Sequence, residues 1–386
     1  MKSKHIYKSI ACGVLLALTA TSCDLDYNPV DSYSDVTEGV DKTDEKPIFN
    51  SVQDVETSMV TLHKKFRDQQ EHWYVDKLLI GDAHSDNAYA GTTGAEVVPY
   101  ETNSIEGSNS VLKRDWDRFL GDIAEANRII VGCEQLKALS DSERGKYQSQ
   151  AKIFRAMVMF DMVRLWGNFP VITTVGGDIT EDNVEEMYPT YFPPQNTAEE
   201  AYAQIEKDLT EAVENPNTPT NDASDKSILT KSVARAMLAK VYAEKPLRDY
   251  AKVIKYADEL AADGFDLVED FSDLWAYDTE KKDCRVRNTK EAILEAHFPP
   301  GSGNWCTWMF GRNLSNWDES FTWAKWITPS RDLIRLYEEQ GDTKRYNESV
   351  VWYECGWSNY YPADHYAFMY KCRSAFNSII YLRYAD

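Results

Sequence analysis

The stretch Ala151-Lys152-Ile153-Phe154-Arg155-Ala156-Met157-Val158-Met159-Phe160-Asp161-Met162-Val163-Arg164-Leu165-Trp166-Gly167-Asn168-Phe169-Pro170-Val171-Ile172 decides the fold. From Ile153 to Trp166 it is apolar almost all round, and a helix apolar on every side has to be wrapped by others. Ser140 and Glu143 stand at capping-box spacing upstream, and Gly167-Asn168-Phe169-Pro170 ends the run, so the pattern predicts a helix over 140–166. Arg155, Asp161 and Arg164 interrupt the apolar surface. Buried charges need partners, and Asp161 and Arg164, three apart on one face, are the pair the sequence offers.

Apolar residues at three- and four-residue intervals predict further helices over about 51–71, 111–138, 197–214, 228–244 and 249–263. Thr197 and Glu200 form a second capping box, followed by the stripe Tyr202, Ile205, Leu209 and Val213 and the stop Asn215-Pro216. Residues 227–264 read as a helical hairpin whose small residues (Ala234, Ala236, Ala239, Ala257, Ala261) let two helices approach closely, as in tetratricopeptide packing. Residues 167–196, with Pro170, Gly176, Gly177, Pro189, Pro193 and Pro194, read as a loop. The fold class is mainly all-α: a tetratricopeptide-like scaffold of helical hairpins with long irregular loop insertions.

Beyond about 271 the helical periodicity fades. Seven of the 11 Trp, from Trp305 to Trp357, fall within 53 residues among Gly, Asn, Ser and Pro. Long irregular segments in a packed protein are usually functional. Pyranose C–H faces stack on aromatic rings while amides and charged groups bond the hydroxyls, and Asn304, Arg312, Asn313, Asn316 and Asp318 interleave with Trp305, Trp308 and Trp317 in that way. These are the leading candidate ligand contacts. Trp73, Asn87 and Tyr89, where an early helix gives way to a loop, are further candidates, and the neighbouring His72 reads as a surface residue.

The chain of 386 residues is 43% hydrophobic and 27% charged, which is globular composition. Its 42 Lys plus Arg against 63 Asp plus Glu give a formal charge of -21, which repels phosphate backbones and excludes nucleic-acid binding. Lys2, Lys4 and Lys8 precede a short apolar run, Ile10 to Ala20, that ends in Ala20-Thr21-Ser22-Cys23. Residues 1–22 therefore read as a secretory leader. The junction resembles a bacterial lipobox with Ala20 in place of the usual Leu, and Cys23 is the expected lipidation site. Removing the leader takes three Lys and no acid, leaving 39 bases against 63 acids and a charge of -24. Residues 23–50 read as a lipidated Cys and polar tether, and the acids directly after Cys23 resemble the surface-export signal of some Gram-negative lipoproteins. Five cysteines remain: Cys133, Cys284, Cys306, Cys355 and Cys372. None forms a C-x-x-C pair or has a His at ligand spacing, so no metal or other cofactor is expected; Cys133 on an apolar helix face reads as core.

With these features in place, residues 151–172 resemble the most recognisable segment of the SusD/RagB family. Its pattern is an Arg-Ala near the helix start, then Phe/Tyr-Asp-x-Val/Leu-Arg-Leu-Trp/Tyr-Gly and a Pro among apolar residues. Ala126-Asn127-Arg128-Ile129-Ile130, Ala234 to Tyr242, and Ile380-Tyr381-Leu382-Arg383-Tyr384-Ala385-Asp386 resemble other family segments. The resemblance implies a lipoprotein on the outer face of an outer membrane, partnered by a SusC-like TonB-dependent transporter and capturing a glycan or, less often, a peptide. It carries over no ligand residue by position, and it makes Arg155, Asp161, Arg164 and Trp166 scaffold. It divides the chain into a helical region, 51–270, and a loop-rich ligand-binding region, 271–386. Family members continue past the Leu382-Arg383-Tyr384-Ala385-Asp386 point, so Ile379, Ile380 and Leu382 are expected to lack a packing partner and the chain to read as truncated.

Enzymatic motifs are missing: there is no His-Glu-x-x-His, Gly-x-Ser-x-Gly, Walker loop or dinucleotide fingerprint. Asp82, Asp86, Asp263 and Asp266 lack the spacing of a calcium loop and read as solvated acids. Two functions stand: a glycan-binding component of a transport system, and a tetratricopeptide-type peptide- or protein-binding lipoprotein with structural Trp.

Overall fold

Caps and periodicity place the helices much as the sequence predicts. In chain order, α1 (Val52–Asp68) opens on a capping box of Ser51 and Asp54, α2 (Ser110–Gln135) on Asn109, and α3 (Asp141–Trp166) on the box of Ser140 and Glu143. α4 (Val184–Tyr191) lies inside the segment read as a loop. α5 (Ala198–Glu214) opens on the Thr197–Glu200 box, and α6 (Lys231–Ala243) and α7 (Tyr250–Ala262) form the expected hairpin. After α1 the chain continues as wide helical turns, Glu71–Val75 and Leu79–Ala83, on either side of one α-turn, Asp76–Leu78. The computed structural model describes residues 47–91, 94–177, 183–278, 280–281, 283–298, 303–305, 326–356, 359–371 and 373–386, and the elements all belong to one unit, Ile48–Asp386.

Strands pair antiparallel two by two among the described residues: β1 (Ala88–Ala90) with β5 (Ile327–Pro329), β2 (Tyr277–Asp278) with β3 (Asp283–Cys284), β4 (Ala292–Ala296) with β8 (Ile379–Arg383), and β6 (Val350–Tyr353) with β7 (Tyr366–Met369). Between β5 and β6 stand two helices that the sequence reading leaves out, α8 (Arg331–Gln340) and α9 (Thr343–Ser349).

α3 is wrapped as its composition demands, with α2 on one side and α5 on the other. Ile153, Phe154, Ala156, Val158, Met159 and Met162 are fully buried. Arg155 is buried with them and donates from Nε and Nη2 to Asp208 on α5, at 2.8 and 2.7 Å, and from Nη1 to Asn127 on α2, at 2.6 Å. Asn127 in turn donates to the Ile172 carbonyl at 2.9 Å, tying the chain leaving α3 to the same network. The expected Asp161–Arg164 pairing is not formed. Asp161 pairs with Lys77, and Arg164 pairs with Glu244 at 3.0 Å, because these two positions lie on the outward side of the last turns of α3, where each charge reaches a neighbouring element.

Two other expectations change. Phe49 is buried against Gly132, and Ile48 donates from its backbone to Gln135, so packed structure begins before residue 51. Ile379 and Leu382 do not lack partners: β8 pairs with β4, and both side chains are buried in the same core as the helices. The residues after 271 thus contribute β4, Phe298, Ile327 and β8 to the helical core, while Ile334, Val350, Tyr361, Tyr366, Ala367 and Phe368 form a second, smaller one.

Candidate functional site

The wide turns after α1, the loop into β1, the segment before β2 and the chain approaching β8 enclose a cleft of about 380 Å³. Two candidate residues from the sequence, Asn87 and Asn304, line it together, joined by Trp275, Lys371 and Asn377, which sequence reasoning missed. An amide chain fixes this wall. The Asn304 backbone N–H donates to Ala375 O at 2.6 Å; its side-chain amide donates to Asn377 O at 2.7 Å, and that of Asn377 donates to Trp275 O at 2.6 Å. Asn304 and Asn377 are buried, whereas Asn87 is exposed at the rim.

The chemistry offered is that of a polyhydroxyl site. Trp275 Nε1–H and Asn377 Oδ1 are buried within residues that line the cleft and have no hydrogen-bond partner among the described residues, leaving one donor and one acceptor unsatisfied. The Lys371 ammonium lies over the Trp275 ring, 5.0 Å from its centroid, and over Phe271 at 5.4 Å. Asp82 faces the same cleft; burial raises its carboxyl pKa and the Lys371 charge pulls it back down. Asn304 and Ile327 both line the cleft. The sequence candidates between them are Trp308, Arg312, Asn313, Asn316, Trp317 and Asp318. Those six residues lie outside the described residues. Trp305 is half-buried against the main core, its backbone N–H donating to Gln70 Oε1 at 2.7 Å.

Tyr89 sits on β1 beyond the cleft. Its ring stacks on Tyr360, with centroids 4.5 Å apart and planes at 11°, so one face is already covered. Tyr360 donates to Glu101 Oε2 at 2.6 Å, which also accepts from Ala90 N at 2.8 Å; burial first, and then this bond to a carboxylate, raise the Tyr360 pKa.

Trp73 is a correction. It is fully buried, packed on Phe66, Phe154 and Tyr381, and its Nε1–H donates to Asp122 Oδ2 at 2.9 Å, so it is core and has no face for a ligand. His72 is likewise buried rather than on the surface, with Nε2 2.8 Å from the same oxygen, while Lys65 holds the other oxygen at 2.7 Å. This polar seam continues to Asp76 and Asp115, both buried, with Arg114 on Asp76. Burial, and then the Asp76 charge, raise the Asp115 pKa well above its usual 3.8. A raised acid binds its proton in the folded state, so its stabilising contribution is present at low pH and falls as pH rises from about 4 through neutrality. Asp115→Asn is therefore expected to flatten the loss of stability between about pH 5 and 8, as read from denaturant midpoints across that range. Equal pH slopes in the two proteins would refute it.

Fold and cleft together define a helical-repeat scaffold of tetratricopeptide type with a cleft between its early helical turns and the segments after residue 271. Residues 31–243 match the SusD-like family described as "Starch-binding associating with outer membrane", and the chain belongs to that family. A SusD-like protein of Bacteroides ovatus is 25% identical over 318 residues, covering 79% of this chain and 51% of that protein, so the chain spans about half the length of this relative. Among solved structures, a laminarin-binding SusD-like protein superposes with a TM-score of 0.67 at 17% identity, over 88% of this chain and 79% of that one. Surface glycan-binding protein A from Bacteroides thetaiotaomicron, in complex with laminarihexaose, gives 0.65 at 14% identity over 86% of this chain and 76% of that one. The same-named protein from Bacteroides uniformis gives 0.69 at 16% identity, over 87% and 74%. At these identities the structures establish the shared fold.

Proposed function

We propose that this protein binds a neutral glycan in the cleft walled by Trp275, Asn304 and Asn377, holds it at the outer surface of the outer membrane, and passes it to a SusC-like TonB-dependent transporter. The observation that carries the reading is the pair of buried polar atoms, Trp275 Nε1–H and Asn377 Oδ1, that have no partner among the described residues and belong to residues lining the cleft. The family description and the laminarin ligands named for similar structures support a glycan as the satisfying group. Trp305, Trp308 and Trp317 are proposed ring contacts on the ligand, with Asn87 at the rim; the role is binding, and no catalytic step is assigned.

Salt dependence separates this reading from peptide capture. Contacts to an uncharged sugar vary little between low and moderate ionic strength, whereas a cationic peptide drawn to a chain of formal charge -21 weakens steeply. Titrations of soluble glucans and of a Lys-rich peptide at two salt concentrations decide between them.

Anchoring is proposed at Cys23, where several acyl chains hold a protein stably and a single chain does not. Cys23→Ala is expected to move the protein from the membrane fraction to the soluble fraction. Continued fractionation with membrane would place the anchor elsewhere.

A further inference from the structure

The segment between α3 and α5 exposes more aromatic surface than its size warrants. On α4, Tyr188 is 55% and Tyr191 48% exposed, and Phe192, one residue beyond, is 67% exposed. Val175 and Val184, in the same segment, are exposed as well. Elsewhere in the described residues the large rings are mostly buried or half-buried. Leaving three rings in water is costly at roughly 25 cal/mol per Å² of apolar surface.

These rings are braced. Gly176 and Gly177 run beneath α4 so closely that a Cβ at Gly176 would stand 3.2 Å from Tyr191 Cζ, and one at Gly177 would stand 3.1 Å from Met187 Cε. Tyr191 donates its hydroxyl to Gly177 O at 2.7 Å. Tyr188 and Phe192 pack side by side, with centroids 4.8 Å apart and planes at 36°. Tyr191 is thus held against the two glycines, and Tyr188 and Phe192 against each other.

Size and charge say what it takes. Rings of this kind carry roughly 150–250 Å² each, so three that are half exposed offer about 300 Å², well short of the roughly 800 Å² per partner that a stable protein interface buries. One or two pyranose rings are the right size. From Leu165 to Glu206 the sequence has eight acids and no Lys, Arg or His, and Glu185 and Glu186 are exposed on the same helix. Glu185 and Glu186 repel uronate or sulfate groups brought to this helix, while their carboxylates accept hydrogen bonds from sugar hydroxyls.

The geometry points to a second glycan contact: Tyr188 and Phe192, with Tyr191 beside them, form a surface platform for a short stretch of a neutral polysaccharide, separate from the cleft. The assignment rests on the glycan reading of the cleft and adds a site to it. A weak second contact strengthens the hold on a long chain far more than on a short one, because a tethered chain meets it at high effective concentration.

The test is affinity electrophoresis of the full chain in gels containing laminarin or soluble starch. The variants are Tyr188→Ala/Phe192→Ala, Trp275→Ala and the combination, each checked for folding by circular dichroism. The double ring variant is expected to weaken polysaccharide retardation about 5- to 50-fold, from the loss of ring stacking. Trp275→Ala is expected to retain a residual retardation that the combined variant loses, and Tyr188→Phe, which keeps the ring, to run like the parent. If the parent is retarded and the double ring variant is retarded equally, the platform is refuted and the cleft reading stands. If no neutral polysaccharide retards the parent, both fail. Loss of binding to a purified transporter partner, with retardation unchanged, would assign the rings to protein docking and overturn the proposal.

Discussion

Replacing Arg155 by Met is expected to destabilise the protein by about 3–5 kcal/mol, the cost of leaving one member of a buried ion pair without its partner. Arg155 and Asp208 are 3% and 1% exposed, and their two hydrogen bonds bridge α3 and α5 through the middle of the helical stack. With Arg155 gone, Asp208 keeps, among the described residues, the Gln204 amide at 2.9 Å, and Asn127 Oδ1 loses its Arg155 donor. Against a typical total stability of about 5–15 kcal/mol this is a large fraction. Arg155→Met/Asp208→Leu should recover most of the loss, since a buried pair replaced entirely by apolar side chains is often near neutral. Urea midpoints of the three proteins measure both effects. A single variant as stable as the parent would mean that the pair is not buried in solution.

The second large effect is expected in β8. Leu382→Ala should cost about 2–5 kcal/mol, the range for a large aliphatic side chain removed from a packed core. Leu382 is 4% exposed, on a strand paired with β4 and set in the same core as the helices. Ile380, half-buried at the cleft, should lose less when truncated. Thermal unfolding of the two variants tests the contrast. If Leu382→Ala left the midpoint unchanged, the strand would lack the packing partner that the structure gives it.

What was legible in the sequence was local. Capping boxes at Ser140–Glu143 and Thr197–Glu200, and apolar spacing of three and four, located α3 and α5 within a residue or two, because a helix writes its buried face into nearby positions. α8 escaped even though its Ser330 cap and positive-φ Gly341 stop were present, because only Ile334 of that helix is buried and its stripe is thin. The strand pairs are too short for alternation to show, and β4, buried at all five positions, reads as a plain apolar run.

The site was less legible, since its parts are far apart in the chain. In sequence Trp73 stands at a helix-to-loop edge, whereas Asp122, on α2, holds its indole N–H in the core. Trp275 and Asn377 are joined by a hydrogen bond spanning 102 positions, which no local pattern announces. Asn87 and Asn304 were found for their amide chemistry and their aromatic neighbours, and tertiary folding brings those two to one cleft. Asp161 and Arg164 show the converse: ideal spacing on one helix does not make a pair when each charge has a better partner on another element.

Titration calorimetry of the parent with laminarihexaose and maltohexaose, repeated with folded Trp275→Ala and Trp275→Phe, tests the glycan-binding reading most directly. A ligand that must be handed on is held modestly, so the parent should bind at least one neutral glycan with a Kd of about micromolar to millimolar, roughly -8 to -4 kcal/mol. Trp275→Ala should weaken that binding by about 1–3 kcal/mol, by analogy with base–aromatic stacking, and Trp275→Phe by the roughly 0.5–1.5 kcal/mol of one hydrogen bond. Neutral-glycan binding that Trp275→Ala leaves untouched, or a parent that binds only cationic peptides, would contradict the account.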